Sequence, residues 1–497
     1  MASTGYEGNP CNMHLNDLSK NIKDGINKNE LIGLIFNTIG VSDGISMGTQ
    51  GMRYSLPSRD IIADSIETVV QAMAYDSLIT VVGCDKNMPG ALISMLRLNR
   101  PSILVYGGTI APGCHNGKKL DVVSAFEAWG EKVSGKIDEN EFSNIIKNGT
   151  KYLDLYGGHA VISIGHSHPT YVKALTNQLN NIGFYSNYII NELQLRVANE
   201  IKIQSKCTDY NLFFSNSGAE ANENALQVAS FYTKKSRIIA FRNSFHGRSN
   251  AALSITDNPH IKSKLNEKIN VTFLDFNDNN NFDKEISKGD VSSVIFESIQ
   301  GVGGLDEPET KFVKYISKQC KKHNTCLIAD EVQSGFGRTG DFFAFQKHGI
   351  EPDIICIAKG MGNGFPVGGI LIKDHIKSKY GMLGTTFGGN HLACSAVLAV
   401  LNTIKKEKLL QNSKSLENYF REKISLIKAV KKIKGRGLML GLEFDFDASE
   451  LRKNLIFKHK IFTGGSANKN LLRILPPLNI QKKHIDKLYN ALKIELS

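Results

Sequence analysis

The chain has 497 residues, 41% hydrophobic and 22% charged, a globular balance that excludes wholesale disorder at a length that suggests two to four domains. Its formal net charge of +12 comes from basic residues that are scattered or in short groups such as Lys321-Lys322, Lys405-Lys406 and Lys431-Lys432, which read as solvated helix faces and not as a nucleic-acid-binding stripe. No apolar run approaches the roughly 20 residues that span a bilayer, the start MASTGYEGNPCNM lacks the segments of a secretory leader, and the eight cysteines contain no CxxC pair, so we expect a cytoplasmic protein with reduced thiols and neither membrane nor nucleic-acid partner.

The first patterned segment is a helix from Ser58 to Tyr75, with Ser58 as N-cap and Ile62, Ile66, Val69, Val70 and Met73 near helical spacing. A strand (78–82), the turn Gly83-Cys84-Asp85-Lys86-Asn87-Met88-Pro89-Gly90, a helix (91–98) and a second strand (102–106) follow. Strand, helix, strand is a βαβ unit and predicts a parallel sheet. Ligands of such sheets collect beyond the carboxyl ends of strands, where Cys84, Asp85 and Lys86 fall, a trio of types that can hold a metal.

A second α/β pattern begins after about residue 150. A strand at 211–214 runs into SNSGAEANENALQVA, a turn and a helix; 277–281 is a polar loop; 294–296, 325–328 and 354–357 read as buried strands. The second of these leads to Asp330-Glu331 and the third to Ala358-Lys359-Gly360. From about Ala396 helical periodicity gives way to a strand at 438–444 and a final helix at 482–496, which implies a smaller C-terminal domain. The expected division is 1–148, 149–395 and 396–497.

Lys359 lies in A-K-G-M-G-N-G-F-P. Glycines let a backbone pass close to a bulky ligand, and a strand-end lysine forms a Schiff base when its charge is suppressed. Asp330 ends an apolar strand, where a carboxylate can partner the ring nitrogen of pyridoxal phosphate. Ser217-Gly218-Ala219 opens a helix whose free N–H groups and dipole suit a phosphate. Phe245, in S-F-H-G-R, can stack on a ring, and Arg248 can hold a carboxylate. Each feature has an ordinary reading: a surface-loop lysine, a turn-forming aspartate, a plain helix start, a core phenylalanine. Together they supply every part that pyridoxal phosphate needs.

On these residues, and on YLDLYGGHAVISIGHSHP, FFSNSGAEANENA, SFHGR, FESIQG, LIADEVQSGFGRTG, IAKGMGNGFPVGG, GTTFGGNHLAC and LRILPPL in this order, the chain from about Gly149 onward resembles the class III pyridoxal-phosphate-dependent aminotransferases of fold type I. Within them it resembles the acetylornithine and succinylornithine branch. The resemblance implies an α/β fold: a large domain with a parallel or mixed sheet, and a small C-terminal α+β domain. It implies that Lys359 carries the cofactor and shuttles a proton, and that Asp330 pairs with the ring nitrogen. Glu331, Val332 and Phe245 would belong to the cofactor pocket, Gln333 would lie near the ring hydroxyl, and Gly218 and Ala219 would bind phosphate through their backbone. Thr386 would reach the cofactor of a neighbouring subunit in a homodimer. Arg248 would take the carboxylate of the acylated ornithine, with Thr385 beside the substrate where a serine is common. Arg473 would take the α-carboxylate of glutamate and pair with Glu297 when the other substrate is bound. The implied reaction moves an amino group between N-acetylornithine or N-succinylornithine and 2-oxoglutarate, in arginine biosynthesis. The resemblance also implies a further class III segment ahead of YLDLYGG that this chain lacks.

Residues 2 to about 147 resemble the N-terminal part of dihydroxy-acid dehydratase, through EGNPCNMHLNDL, FNTIGVSDGISMGTQGMRYSLPSRDIIADS, GCDKNMPG, RPSILVYGGTIAPG and DVVSAFEAWGEKVSG. That family implies Cys11 and Cys84 as iron–sulfur ligands, and Asp43, Asp85 and a carbamylated Lys86 as magnesium ligands, soft thiolates for iron and hard oxygens for Mg2+. The likeness stops at about Asn148, before the family's third cluster cysteine. We therefore expect an incomplete α/β dehydratase-like fragment with vestigial ligands and no lyase activity. The alternatives to an aminotransferase are a dehydratase and an inactive chimera.

Overall fold

The computed structural model describes residues 1–9, 11–42, 46, 49–84, 86–108, 113–115, 118–120 and 152–496. The chain divides into two compact units, Met1–Lys151 and Tyr152–Ser497.

In the first unit a four-stranded parallel sheet has the order β2-β1-β3-β4, formed by β1 (Ala2–Ser3), β2 (Phe36–Asn37), β3 (Leu78–Val82) and β4 (Ser102–Tyr106). Helices α1 (Leu15–Lys28), α2 (Ser58–Ala72) and α3 (Asn87–Leu98) accompany it. Ile62, Ile66 and Val70, one helical face of α2, are fully buried with Leu78, Val82 and Ala91. The expected βαβ unit is present, but α3 starts at Asn87, inside the turn read from sequence. Ser58 is not the cap of α2: the cap position is Pro57, and the Ser58 hydroxyl donates to the Ser55 carbonyl at 2.6 Å.

In the second unit a seven-stranded mixed sheet has the order β8-β7-β9-β10-β11-β12-β6, from β6 (Tyr210–Ser215), β7 (Arg237–Phe241), β8 (Val271–Leu274), β9 (Val291–Glu297), β10 (Cys326–Asp330), β11 (Ile354–Ile357) and β12 (Gly368–Lys373). Only β12 runs against its neighbours. Every residue of β9, β10 and β11 is buried, the near-continuous apolar run expected of parallel strands covered on both faces. Helix α4 (Gly218–Thr233) follows β6, capped by Ser217, whose hydroxyl accepts the Glu220 N–H at 3.2 Å. The polar run at 277–281 is not all loop: Asp278 caps a helix that opens at Asn279. Beyond helices α5 (His391–Lys406) and α6 (Leu409–Ile424), a three-stranded antiparallel sheet, β13 (Lys432–Arg436), β14 (Met439–Glu443) and β16 (Leu471–Ile474), precedes α7 (Lys482–Glu495). Strand β15 (Ile461–Phe462) pairs in parallel with β5 (Leu153–Asp154), tying the start of this unit to its C-terminal part.

The register places the site. Glu297 pairs with Asp330 and Asp330 with Cys356 across β9, β10 and β11, so the two acids lie side by side at the carboxyl ends of parallel strands. Lys359 follows two residues after β11, and Gly218 follows shortly after β6. All four sit where open α/β sheets bind ligands.

Candidate active site

These strand ends enclose a cavity of about 270 Å³ lined by Ser217, Gly218, Ala219, Phe245, His246, Glu297, Asp330, Val332, Gln333 and Lys359, among others. The first turn of α4 turns its Gly218 and Ala219 toward it, with the unpaired N–H groups of a helix start. A Cβ on Gly218 would come within 2.6 Å of the Val332 side chain, so this wall has room only for glycine.

Asp330 is buried and its two oxygens are separately engaged. Oδ2 accepts from His246 Nδ1 at 2.7 Å and from Asn222 Nδ2 at 2.9 Å; Oδ1 accepts the Val332 N–H at 3.0 Å. Burial alone would depress His246, but the Asp330 hydrogen bond and the Asp330 and Glu297 charges outweigh it and hold the imidazole above its ordinary pKa. These donors fix the Asp330 carboxyl in place, as a partner of a ring nitrogen must be.

Lys359 adopts φ of 45°, and its Nζ makes no hydrogen bond or ion pair among the described residues. Burial, aided by the Arg473 charge, lowers its pKa against the opposing pull of Asp330 and Glu297. A lowered pKa leaves more free amine, the form that attacks a carbonyl. Glu297 accepts the N–H groups of Phe245 and Gly301 at 2.9 Å each; burial, opposed by His246, pushes its carboxyl up to about 7. Arg473, on β16, is buried and makes no ion pair with Glu297. It donates to the Gly301 carbonyl at 2.7 Å, the Tyr156 hydroxyl at 2.8 Å and the Gly465 carbonyl.

Other expected residues lie elsewhere. Glu331, read as part of the cofactor pocket, does not line the cavity. It is fully buried and accepts the N–H groups of Ala344 and Phe345 at 2.8 Å and the hydroxyls of Ser334 and Ser298 at 2.8 and 3.2 Å. Its neighbour Val332 faces the cavity because adjacent side chains leave a strand end on opposite sides. Arg248 is exposed and outside the cavity lining. Thr386 is exposed, and the Thr385 hydroxyl accepts the Gly388 N–H at 2.9 Å; neither lines the cavity. Sequence reasoning missed His246 and Asn222. His246 stood in S-F-H-G-R between two residues already given roles, and Asn222 is one helical turn after Gly218, a spacing that puts both on one face.

The residues present fit pyridoxal phosphate. A helix start for phosphate, an engaged carboxylate, apolar walls and an unpartnered lysine side chain converge, and the buried Gln333 Oε1 finds no hydrogen-bond donor among the described residues, as an acceptor facing a ring hydroxyl would. The first unit differs. Cys84 is buried at φ of 38°, and a Cβ on Gly83 would lie 2.6 Å from the Cys11 carbonyl, so the Cys11 loop meets this strand end. Lys86 is partly buried at the start of α3. Asp43 and Asp85 lie outside the described residues. Among the described residues no group of three or more His, Cys, Asp or Glu could hold a metal. Two cysteines do not supply a cluster's thiolates, so these residues do not fit an iron–sulfur group.

The fold and this site define a pyridoxal-phosphate-dependent transferase of fold type I. Residues 139–496 match the aminotransferase class-III family, and the chain belongs to it. Residues 1–152 match the dihydroxy-acid/6-phosphogluconate dehydratase N-terminal family. Acetylornithine aminotransferase of Bacillus subtilis (strain 168) is 37% identical over 74% of this chain and 97% of its own length; that of Aquifex aeolicus (strain VF5) is 37% identical over 70% and 93%. Among solved structures, ornithine aminotransferase of Toxoplasma gondii ME49 is 26% identical with a TM-score of 0.64, covering 70% of this chain and 88% of its own. The expectation of a missing class III segment is corrected: the match begins at residue 139, ahead of Gly149, and spans nearly all of the Bacillus protein. Glycine-poor, weakly patterned residues before YLDLYGG hid that segment from a reading based on short motifs. Among the described residues no helix is long and apolar enough to cross a membrane.

Proposed function

We propose that this aminotransferase moves an amino group between an N-acylated ornithine, acetyl or succinyl, and 2-oxoglutarate, a step of arginine biosynthesis, working as a homodimer in the cytoplasm. The observation that carries the reading is the convergence of Lys359, Asp330 with its His246 and Asn222 partners, and the Gly218-Ala219 helix start around one cavity. The names of the acetylornithine relatives support the substrate class. We assign 149–395 and 396–497 as the large and small domains, after the dehydratase-like 1–148.

Bound pyridoxal phosphate supplies the carbonyl that receives the amino group and a ring that accepts electrons. Gly218 and Ala219 would hold its phosphate end, Phe245 and Val332 would flank its ring, and Gln333 would accept at the ring hydroxyl. Asp330 would pair with the ring nitrogen, with His246 and Asn222 preventing rotation of its carboxyl. Lys359 would be the covalent anchor, and its amine would move the proton at the reacting carbon. Arg473 binds the carboxylate next to that carbon in glutamate and 2-oxoglutarate, beside the Glu297 carboxyl. By the class III resemblance Arg248 would take the distal carboxylate with Thr385 beside it, and Thr386 would reach the cofactor of a neighbouring subunit, although none of the three lines the cavity of a single chain.

Comparing kcat/KM for N-acetylornithine, N-succinylornithine, ornithine and 4-aminobutyrate, each with 2-oxoglutarate, tests the substrate. The reading expects an acylated ornithine to lead; preference for ornithine or 4-aminobutyrate contradicts it.

A further inference from the structure

A guanidinium has five N–H donors. In Arg473, Nε donates to the Gly465 carbonyl, one N–H of Nη1 to the Gly301 carbonyl at 2.7 Å and one of Nη2 to the Tyr156 hydroxyl at 2.8 Å. One N–H remains on each terminal nitrogen, the number that a bidentate pairing with a carboxylate takes. Two of the three anchors are backbone. The third is Tyr156, whose ring also faces the guanidinium, 5.4 Å from centroid to Cζ.

Tyr156 is itself fixed on several sides. Its hydroxyl lies 2.6 Å from His159 Nδ1. Its ring packs on Gly464, where a Cβ would fall 2.0 Å from Cε2, so no other residue fits there. Asp154 Oδ1 accepts the N–H groups of Tyr156 and Gly157 at 2.8 Å each. His159 reaches Tyr156 through four successive left-handed residues: Gly157, Gly158, His159 and Ala160 have φ of 55°, 56°, 65° and 64°. For His159 and Ala160 that conformation is unfavourable and persists only where the surroundings over-determine it. They do so here: the Ala160 N–H donates to the Tyr156 carbonyl at 3.0 Å, and Gln333 Nε2 to the His159 carbonyl at 3.0 Å.

We propose that Tyr156, braced by His159, is a positioning residue that orients Arg473 for the carboxylate beside the reacting carbon, and so sets affinity for 2-oxoglutarate and glutamate. The inference rests on the reading of Arg473 as that carboxylate site. An acylated ornithine reacts at the end remote from its α-carboxylate and presents no carboxylate to Arg473, so its half-reaction does not depend on the brace. Neutral His159 accepts the Tyr156 O–H at Nδ1 and leaves the oxygen lone pairs to Arg473. Protonated His159 carries a hydrogen there and adds a cation beside the guanidinium. The charged groups facing the pair are Arg473, Lys359 and Arg452; Glu297 faces Arg473, and Asp154 lies in the turn itself. Burial, then the Arg473 and Lys359 charges, hold His159 below its ordinary pKa, so the brace persists into mildly acidic solution.

The test uses the full chain loaded with pyridoxal phosphate and the variants Tyr156→Phe, His159→Asn and Arg473→Gln. Asn tolerates the left-handed turn and keeps an acceptor near the place of Nδ1 without titrating. The readouts are KM for 2-oxoglutarate, the rate of the acylated-ornithine half-reaction, and calorimetric Kd for glutarate, a non-reacting dicarboxylate. Tyr156→Phe should weaken 2-oxoglutarate and glutarate about tenfold, the worth of one hydrogen bond to a charged group, with the acylated-ornithine half-reaction within about twofold of the parent. The parent's KM for 2-oxoglutarate should rise on the acid side, and that rise should vanish in His159→Asn. Equal weakening of both half-reactions overturns the proposal. So does an unchanged glutarate Kd in Tyr156→Phe when Arg473→Gln weakens it, and an acid rise retained in His159→Asn removes His159 from the brace. If Arg473→Gln leaves glutarate binding intact, the Arg473 reading itself fails.

Discussion

Strands β9, β10 and β11 of the second unit end at Glu297, Asp330 and just before Lys359, while β1 and β3 of the first unit end just before Thr4 and Gly83-Cys84. Both units thus set polar side chains beyond the carboxyl ends of parallel strands. In the second, Asp330 receives three donors and faces a cavity with an unpartnered lysine. In the first, the strand ends meet buried Thr4, Asn12 and Asn87, whose Oγ1, Oδ1 and both amide atoms, respectively, find no partner among the described residues. A strand-end cluster becomes a reactive site only when neighbouring elements fix each group and leave one gap for a ligand. Residue types alone do not do this.

The largest effect is expected at Lys359. Lys359→Ala should lower transamination by at least about 10³-fold, within the span that acid–base groups contribute; steady-state rates check it. Asp330→Asn, which keeps shape and removes charge, should cost about 10²-fold or more, with His246 losing its anionic partner. Packing comes next. Phe282 and Ile66 are fully buried in the cores of different units. Phe282→Ala should destabilise the second unit by about 3–5 kcal/mol and Ile66→Ala the first by about 2–5 kcal/mol, read by calorimetry. Ile66→Ala should leave the visible spectrum of the loaded protein unchanged.

A smaller effect follows from Glu331, which burial pushes up to about 7 against the pull of its four donors. Its folded pKa is raised above the unfolded carboxylate value of about 4.3. The folded protein therefore holds a proton that the unfolded chain releases, and stability falls as pH rises from about 4.3 to 7, by up to about 1.4 kcal/mol per unit. Denaturant titrations across that window should show this slope, flattened in Glu331→Gln. The smallest effect belongs to the first unit's thiols: Cys11→Ser and Cys84→Ser should leave transamination within about twofold, because both lie in the unit that does not hold Lys359.

Much of the second unit was legible because its strands are short apolar runs that end in chemistry-bearing residues, as at Cys326–Asp330 and Ile354–Ile357. Lys359, Asp330, Gly218 and Phe245 could be placed on one edge from that pattern. Glu331 could not, since sequence does not say which of two adjacent acids turns inward. Nor could His246 and Tyr156, whose contacts to Asp330 and Arg473 span 84 and 317 positions. In the first unit the βαβ order was readable from period, whereas the start of α3 was not, because Asn87 and Pro89 serve turns and first helical turns alike.

Chemistry that resides at Lys359 and needs pyridoxal phosphate is read from the visible absorption spectrum of the purified chain with and without added pyridoxal phosphate, beside Lys359→Ala. A cofactor-dependent band should appear, shift on adding an acylated ornithine and be missing in Lys359→Ala. A folded protein with no such band, or a brown preparation whose colour follows its iron content, would overturn the assignment.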